Sequence, residues 1–443
     1  MVRAVTQWTE PERIRAIADG ADRLLRKMLP TPGEACVWCL LEVVWPGLAR
    51  RDIGEARRDG VDLMLVPLSR IGQVEGKSGS LVLFGRLRST RASRPSNSLV
   101  VKTRRKAGSG QSLDKEWKAA LAAKPHTYDR KDSFAIPLHF DDDDPDYEVL
   151  WSLCLPTVRD SEADTPDYES FPAVDDLRKL LAFTPHQAAT ESEETGRKAA
   201  QVLEGTYTLL RNLHRTSAAT GSHALHRERR SLGEEYSRYL RRYGFEPACL
   251  WGPEWAAVWA PPSQCVAGDG VNPLWVVDRL RSEVVSMQVG LVHGDLHAGN
   301  IILRDGGAPA IIDFGWSADR AHVAKDFVLM ECNLRFLTLR PQVGEDELAT
   351  FISAVAWESE PSPAQSEYLA RRWALVKVVR DAARRVFASD TDWAREYLAP
   401  LFLVAFGLLR FAPQLGNQRA AVLFVQRLAG TLALALDLTE PAP

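Results

Sequence analysis

Oxygen-bearing side chains cluster in one stretch of the chain, residues 291–316, which reads LVHGDLHAGNIILRDGGAPAIIDFGW. Asp295 and Asn300 bracket one turn, and Asp313 ends an apolar run that follows it. Hard cations such as Mg²⁺ prefer oxygen ligands and keep waters and substrate phosphates as further ligands. A carboxylate that does not bind the metal could orient a hydroxyl group and accept its proton. Together these groups are the minimum equipment for phosphoryl transfer, which depends mostly on positioning and charge neutralisation.

The apolar runs around these turns predict a strand–turn–strand–turn–strand arrangement. GLVH leads into the turn GDLHAGN, NIIL forms a short strand, and PAIID returns after the turn RDGG. Asp, Asn and Gly are favoured in turns for local reasons, so either turn alone would carry little information. Because the two turns occur in order and close together, we expect their polar side chains to converge near one point.

HGDLHAGN followed by IIDFGW resembles the catalytic and metal-binding loops of the aminoglycoside phosphotransferase and choline kinase family, which has the protein-kinase-like fold. The resemblance covers about residues 61–440, but only the block 291–331 is specific. It implies that Asp295 is the catalytic base and that His293 supports the loop. It also implies that Asn300 and Asp313 hold Mg²⁺.

Two further residues of this block are interpreted through the resemblance. His297 falls where protein kinases carry a lysine that attends the γ-phosphate of ATP, and it could do similar work here or simply form hydrogen bonds within the loop. Asp326, in VAKDFVLME, takes the place of a buried aspartate in this family, and we expect it to be structural.

A second set of candidates precedes this block. Lys102 ends the apolar run SLVVKT, and the resemblance implies that it pairs with the α- and β-phosphates of ATP. Glu116, in the predicted helix that follows, is the expected partner of Lys102, with Asp114 as the weaker alternative. The loop in IGQVEGKSGSLVLFG could offer backbone N–H groups to phosphates, although by itself it reads as an ordinary hairpin. Its small residues are Gly76, Ser78, Gly79 and Ser80.

The elements around these residues predict an α+β protein with a protein-kinase-like two-lobed fold. Short β-like runs and one helix fill residues 61–155, which predicts a small antiparallel β-rich N-lobe. Residues 156–443 are mainly helical, which predicts a large mainly α-helical C-lobe with an insertion at about 217–272. Residues 1–60 form an N-terminal helical extension in this scheme, although ACVWCLLEVVW within it could be a strand or a buried helix. Residues 10–28 should form an amphipathic helix that docks on the N-lobe.

Composition limits the classes of partner. A formal net charge of −3 gives no strong field for attracting nucleic acid or an anionic membrane. The N-terminus does not resemble a signal peptide, and the longest apolar run, YLAPLFLVAFGLL, is too short to span a bilayer, which favours a buried helix. Cys36 and Cys39 form a lone CxxC, which favours packing over zinc or redox chemistry. We therefore expect a cytoplasmic protein with no nucleic-acid or membrane partner.

The combined prediction is a phosphotransferase that uses Mg²⁺ and ATP and transfers the γ-phosphate to a hydroxyl of a small molecule. A protein kinase is disfavoured because HGD replaces HRD and because the link between Asp313 and Asp326 leaves little room for an activation loop. A metallohydrolase would need more His and Asp clusters than the chain offers. The remaining alternative is a kinase-like regulatory or protein-phosphorylating module of a bacterial conflict or signalling system. A protein partner could then bind through residues 1–60 or 217–272.

Overall fold

The computed structural model describes a large part of the chain. The described residues are 16, 20, 39–43, 61–67, 80–89, 97–107, 112–127, 133–135, 137–153, 176–181, 189–215, 226–240, 271–304, 307–357, 366–387 and 392–438. The chain divides into two compact units, one formed by residues 1–175 and 302–317 and the other by residues 176–301 and 318–443.

The first unit is built on a six-stranded sheet with the order β1-β2-β3-β4-β6-β5. Neighbouring strands are antiparallel except for β1 and β2, which are parallel. The strands are β1 (Cys39–Val43), β2 (Val61–Pro67), β3 (Leu81–Ser89), β4 (Asn97–Arg105), β5 (Pro137–Asp141) and β6 (Tyr147–Leu153). The ambiguous run ACVWCLLEVVW therefore contains a strand, and it extends the sheet at its edge.

A helix and a hairpin accompany the sheet in this unit. Helix α1 (Leu113–Thr127) packs against β5 and β6. Strands β9 (Ile301–Leu303) and β10 (Pro309–Ile311) pair with each other. Ala135 N donates a hydrogen bond to Ile311 O at 2.9 Å, and Ile311 N donates one to Ser133 O at the same distance. These bonds explain why residues 302–317 belong to the strand-rich unit. The sequence, in contrast, predicted a single boundary between the two lobes, at residue 155.

Within residues 10–28, two residues are described, Ala16 and Gly20, and both are helical and buried. Ala16 is 1% exposed. Gly20 lies so close to β5 and β6 that an added Cβ would stand 3.2 Å from an Asp141 carboxylate oxygen and 3.3 Å from Trp151 Nε1. This packing agrees at these two positions with the expected docking of helix 10–28, and the rest of that helix lies outside the described residues.

The second unit is mainly helical around a small antiparallel sheet with the order β11-β8-β7. Its strands are β7 (His226–Ser231), β8 (Val284–Val292) and β11 (Ala318–His322). Its helices are α2 (Leu177–Leu181), α3 (Ala189–His214), α4 (Leu232–Glu235), α5 (Ser237–Leu240), α6 (Pro273–Arg281), α7 (Lys325–Cys332), α8 (Glu345–Trp357), α9 (Glu367–Val386), α10 (Ala399–Leu408) and α11 (Gln418–Ala435).

Two sequence expectations for this unit can be compared with the structure. All residues of α10 from Ala399 to Leu408 are buried, which confirms that the longest apolar run is a buried helix. Residues 226–240, inside the range expected to be an insertion, form β7, α4 and α5, and β7 pairs with β8 along its whole length.

In the described part of the chain, no helix combines the length and the apolar character that crossing a membrane requires. The expected α+β class, with a strand-rich part and a larger helical part, is confirmed.

Candidate active site

Lys102 owes its position to the alternation of side chains along β4. Val101 and Thr103, its neighbours on the strand, are fully buried on one face of the sheet. Successive side chains of a strand point to opposite faces, so Lys102 points to the other face. It is paired in register with Val82 on β3 and Leu150 on β6, which places it in the interior of the sheet and not at an edge.

Two carboxylates share the Lys102 ammonium. Its Nζ lies 2.5 Å from Glu116 Oε1 and 3.1 Å from Asp313 Oδ2. The expected pairing with Glu116 is therefore present. The weaker alternative was wrong, because Asp114 lies one helical turn before Lys118 on the exposed side of α1 and pairs with it at 2.7 Å.

The charges of this cluster follow from burial and proximity. Burial alone would lower the pKa of Lys102, but Asp313 and Glu116 together raise it above its usual value, so the lysine is an ammonium ion. Burial raises the pKa of Glu116 to about 7, Lys102 opposes this rise, and Asp313 adds to it. The pKa of Lys102 and the pKa of Glu116 can both rise because one ammonium is shared by two carboxylates. The negative charge of Asp313 favours the charged form of Lys102 and disfavours the charged form of Glu116.

Glu148 on β6 fixes the helix that carries Glu116. Its Oε1 accepts a hydrogen bond from Ser112 Oγ at 2.9 Å, and its Oε2 accepts one from the backbone N of Leu113 at 2.8 Å. Both donors stand at the start of α1, where backbone N–H groups have no partner within the helix. This role could not be predicted from the sequence, because a single glutamate in the run YEVLWSL is also typical of a solvated strand position.

The IIDFGW turn is held against α1. Asp313 adopts a left-handed conformation, with φ of 64°, immediately before the 3₁₀ turn Phe314–Trp316. The Phe314 ring is buried and meets Phe134 edge to face, with ring centroids 5.9 Å apart. Ser317 Oγ donates a hydrogen bond to Ala119 O at 2.7 Å. Gly315 leaves no room for a side chain, since an added Cβ would lie 2.9 Å from Glu116 Cγ.

In the second unit, the buried Asp326 on α7 shapes the HGD turn. Its Oδ2 accepts from His293 N at 2.9 Å, and its Oδ1 accepts from Gly294 N at 2.7 Å. The Nε2 of His214, at the end of α3, also lies 2.9 Å from Oδ2. Burial alone would raise the pKa of Asp326, but the bond and charge of His214 lower it overall, so the carboxylate stays ionised. This is the structural role that was expected of Asp326.

Hydrogen bonds within the loop position the proposed base. Asp295 N donates to Nδ1 of the buried His293 at 3.3 Å, in keeping with the supporting role expected of this histidine. Asn300 Nδ2 donates to Asp295 O at 2.9 Å. His297 Nδ1 accepts from Gly299 N at 3.1 Å and thereby caps the 3₁₀ turn Ala298–Asn300. The local hydrogen-bonding alternative for His297 is thus observed.

Oxygen donors suited to Mg²⁺ are present in both units. The amide nitrogen of Asn300 is engaged by Asp295 O, so its amide oxygen is the atom that could bind a cation. Asp313 supplies a carboxylate that is 35% exposed and therefore accessible. Such hard donors fit Mg²⁺, which also takes phosphate oxygens and waters. Within the described ranges, no group of three or more His, Cys, Asp and Glu side chains could hold a metal ion.

Sequence reasoning missed one ion pair at the proposed base. Arg238 Nη2, on α5, lies 3.0 Å from Asp295 Oδ1. No feature of LGEEYSRYL marks this arginine, because the two residues are 57 positions apart.

Of the loop proposed to bind phosphates, Ser80 is buried immediately before β3, and Gly76, Ser78 and Gly79 lie outside the described residues.

Comparison with known proteins gives one family match and several structural likenesses. A family model described as "Ternary complex associated domain 9" matches residues 83–410. No curated protein matches the chain.

The chain is similar to three kinds of solved phosphotransferase. A structure of aminoglycoside phosphotransferase APH(4)-Ia shows 11% identity and a TM-score of 0.41, with 85% of this chain and 95% of that chain covered. The choline kinase LicA from Streptococcus pneumoniae shows 12% identity and a TM-score of 0.30, with coverage of 76% and 90%. A Plasmodium vivax ethanolamine kinase shows 13% identity and a TM-score of 0.31, with coverage of 82% and 80%. These solved structures are of the aminoglycoside phosphotransferase and choline kinase kinds that HGDLHAGN and IIDFGW resemble.

Proposed function

The chain belongs to the Ternary complex associated domain 9 family, and we propose that it is a phosphotransferase that uses Mg²⁺ and ATP and phosphorylates a hydroxyl of a small molecule. The observation that carries this proposal is the shared ion pair of Lys102 with Glu116 and Asp313. A charged lysine in the interior of a sheet, held by one carboxylate from a helix and one from the IIDFGW turn, fits the binding of nucleotide phosphates.

The lysine cluster, formed by Lys102, Glu116 and Asp313, supplies a positive charge at a fixed position. Lys102 is anchored by Glu116, so it does not need to be ordered when a phosphate arrives. We propose that it contacts the α- and β-phosphates of ATP, with Ser80 and the preceding small residues as further candidates for contact with the phosphates. Bound Mg²⁺ would neutralise charge on the phosphate oxygens, and Asn300 and Asp313 are the proposed ligands.

The loop of the second unit supplies the proposed base. Asp295 is 26% exposed in its side chain, and its backbone is fixed by bonds to His293 and Asn300. We propose that its carboxylate orients the acceptor hydroxyl and receives its proton as the γ-phosphate is transferred. His293 acts by supporting the turn. His297 caps the 3₁₀ turn and remains a candidate for contact with the γ-phosphate.

A kinase-like regulatory or protein-phosphorylating module is the second candidate. The description of the family model favours it, since "ternary complex associated" names an assembly and not a reaction. In that case, residues 1–60 or 217–272 would bind a protein partner. A catalytic role is preferred over a purely regulatory one because the proposed base, the lysine and both candidate metal ligands are all present. A small-molecule acceptor is preferred over a protein because HGD replaces HRD and the link between Asp313 and Asp326 is short.

Transfer of phosphate from labelled ATP tests the proposal. The wild-type protein should label at least one compound in a panel of hydroxylated metabolites and antibiotics, and it should require Mg²⁺. Asp295→Asn should lower this turnover by about 10²- to 10⁴-fold, the usual worth of a general base, while nucleotide binding persists. Label that appears only on an added protein would favour the second candidate. Binding of Mg-ATP without any transfer of phosphate would contradict the proposed reaction and would support a regulatory role.

A further inference from the structure

Arg238 makes two contacts through one nitrogen atom. Its Nη2 donates to Asp295 Oδ1 at 3.0 Å and to Tyr239 Oη at 2.9 Å. The guanidinium carbon also lies 4.7 Å from the centroid of the Tyr239 ring, within the range of a cation–π contact. The arginine side chain is only 23% exposed. It is therefore a fixed group beside the base and not a mobile surface side chain.

The helix that carries Arg238 is docked firmly on α10 and the turn that follows it. Gly407 on α10 approaches α5 so closely that an added Cβ would lie 2.6 Å from Tyr239 Cβ and Tyr239 O. Arg410 Nη1 donates hydrogen bonds to Arg238 O at 3.2 Å and to Tyr239 O at 3.4 Å. Side chain and backbone of Arg238 are thus both held, and the guanidinium has a defined place relative to Asp295.

This contact makes the two oxygens of the Asp295 carboxylate unequal. Oδ1 accepts a charge-assisted bond from Arg238, and such bonds are roughly twice as strong as neutral ones. Burial alone would lower the pKa of Arg238, but Tyr239 and Asp295 raise it above its usual value, so the guanidinium keeps its charge. A carboxylate held at one oxygen cannot rotate without breaking that bond.

We propose that Arg238 is a positioning residue for the transfer reaction, which holds Oδ1 of Asp295 so that Oδ2 receives the proton. The inference rests on the proposed function. In the step, the acceptor oxygen forms a bond to the γ-phosphorus, and the bond from that phosphorus to the bridging oxygen of ATP breaks. The hydroxyl proton moves to Oδ2 of Asp295, and ADP leaves with the electron pair of the broken bond.

Arg238→Met removes the guanidinium and keeps an unbranched side chain, and Arg238→Lys keeps a charge but not the planar group. Hydrolysis of labelled Mg-ATP, with water as the acceptor, provides the kinetic probe. The methionine variant should lower kcat by roughly 10- to 100-fold, the scale expected from misplacing a catalytic group by about 1 Å. KM for ATP should hardly change. The kcat of the lysine variant should lie between that of wild type and that of the methionine variant. Arg229→Met, at an exposed position on β7, is the matched control and should behave as wild type.

Two further measurements separate positioning from a merely structural role. In the Asp295→Asn background, Arg238→Met should cause no additional loss of kcat, because the arginine acts only through that carboxylate. In a crystal structure of the Arg238→Met variant, the Asp295 carboxylate should leave its wild-type rotamer or occupy more than one.

An unchanged single rotamer of Asp295 would overturn the inference, and so would an equal loss of kcat in both backgrounds. A loss expressed in KM for ATP would overturn it as well. If wild-type protein neither binds nor hydrolyses Mg-ATP, the proposed function fails, and the inference falls with it. Normal hydrolysis combined with an unchanged rotamer would remove the inference alone.

Discussion

Gly315 shows how little space the lysine cluster leaves around its members. The neighbouring Asp313 is already in a left-handed conformation, and the Cγ of Glu116 stands where a side chain at position 315 would begin. A methyl group at this site therefore meets the middle of the Glu116 side chain and not its flexible end. The position of Glu116, and through it that of Lys102, depends on a residue that carries no functional group.

Gly315→Ala should weaken nucleotide binding without removing any charged group. The added methyl group displaces Glu116, so Lys102 loses its closer partner and is no longer held in place. We expect the affinity for Mg-ATP, measured by isothermal titration calorimetry, to fall by roughly tenfold, which corresponds to about 1.4 kcal/mol. Gly344→Ala is the matched control, because the nearest atom to its added Cβ is a Glu347 carboxylate oxygen at 3.7 Å. Equal affinities for wild type and Gly315→Ala would show that Glu116 tolerates the methyl group.

At the scale of elements, the small sheet of the second unit holds a buried neutral histidine. His322, on β11, has no exposed surface, and its Nδ1 lies 2.8 Å from Tyr236 Oη. Burial lowers the pKa of His322 to about 3, and Glu235 opposes the shift only in part. In the unfolded chain, His322 takes up a proton near pH 6.5, whereas in the folded chain it stays neutral at that pH. The contribution of His322 to stability is therefore fully present above about pH 6.5 and is lost as the pH falls towards 3.

His322→Gln should flatten this dependence. Between about pH 6.5 and pH 5, the free energy of unfolding in urea should fall in wild type by up to about 1.4 kcal/mol for each pH unit, the effect of one proton. The glutamine variant lacks this proton uptake, so its free energy should change less over the same range. His226→Gln is the control, because His226 on β7 pairs with the same residue, Val289, from the other side and is only half-buried. Identical slopes for wild type and His322→Gln would contradict the prediction.

The sequence predicted a strand-rich part followed by a larger helical part, and it grouped the candidate residues that lie within one motif. Asp295, Asn300 and Asp313 belong to a single block of turns, and Glu116 follows Lys102 at a spacing that the resemblance supplies. Contacts between distant residues were not predictable, because periodicity and turn composition report only on neighbours in the chain. Glu148 reaches Leu113 across 35 positions, and Arg238 reaches Asp295 across 57.

At the scale of the whole molecule, the family match takes in both groups of candidate residues. It begins within β3 and ends in the turn Leu409–Gln414. It therefore includes Lys102 and Asp313 in the first unit and Asp295 and Asn300 in the second. The two groups of candidate residues therefore lie within one family domain.

Mg-ATP should raise the melting temperature of the full chain, because a ligand that binds only the folded state stabilises it by linkage. At a concentration of about 100 Kd, this stabilisation is about 2.7 kcal/mol. Asp295→Asn should retain the shift, since its carboxylate serves the acceptor, whereas Asp313→Ala should lose most of it. Chelation of Mg²⁺ should reduce the shift in wild type. Equal shifts in the two variants would contradict this division of roles, and the absence of any shift in folded wild-type protein would count against nucleotide binding.

The anchoring of the HGD turn by Asp326 has a consequence for how the protein is made. The turn leaves the ribosome before the carboxylate that binds its backbone, and before Asn333, whose Oδ1 accepts from Ala298 N at 3.3 Å. A nascent or truncated chain that stops short of α7 thus carries Asp295 and Asn300 without the bonds that give their turn its shape. Premature termination before residue 326 should yield an inert fragment and not a partly active enzyme.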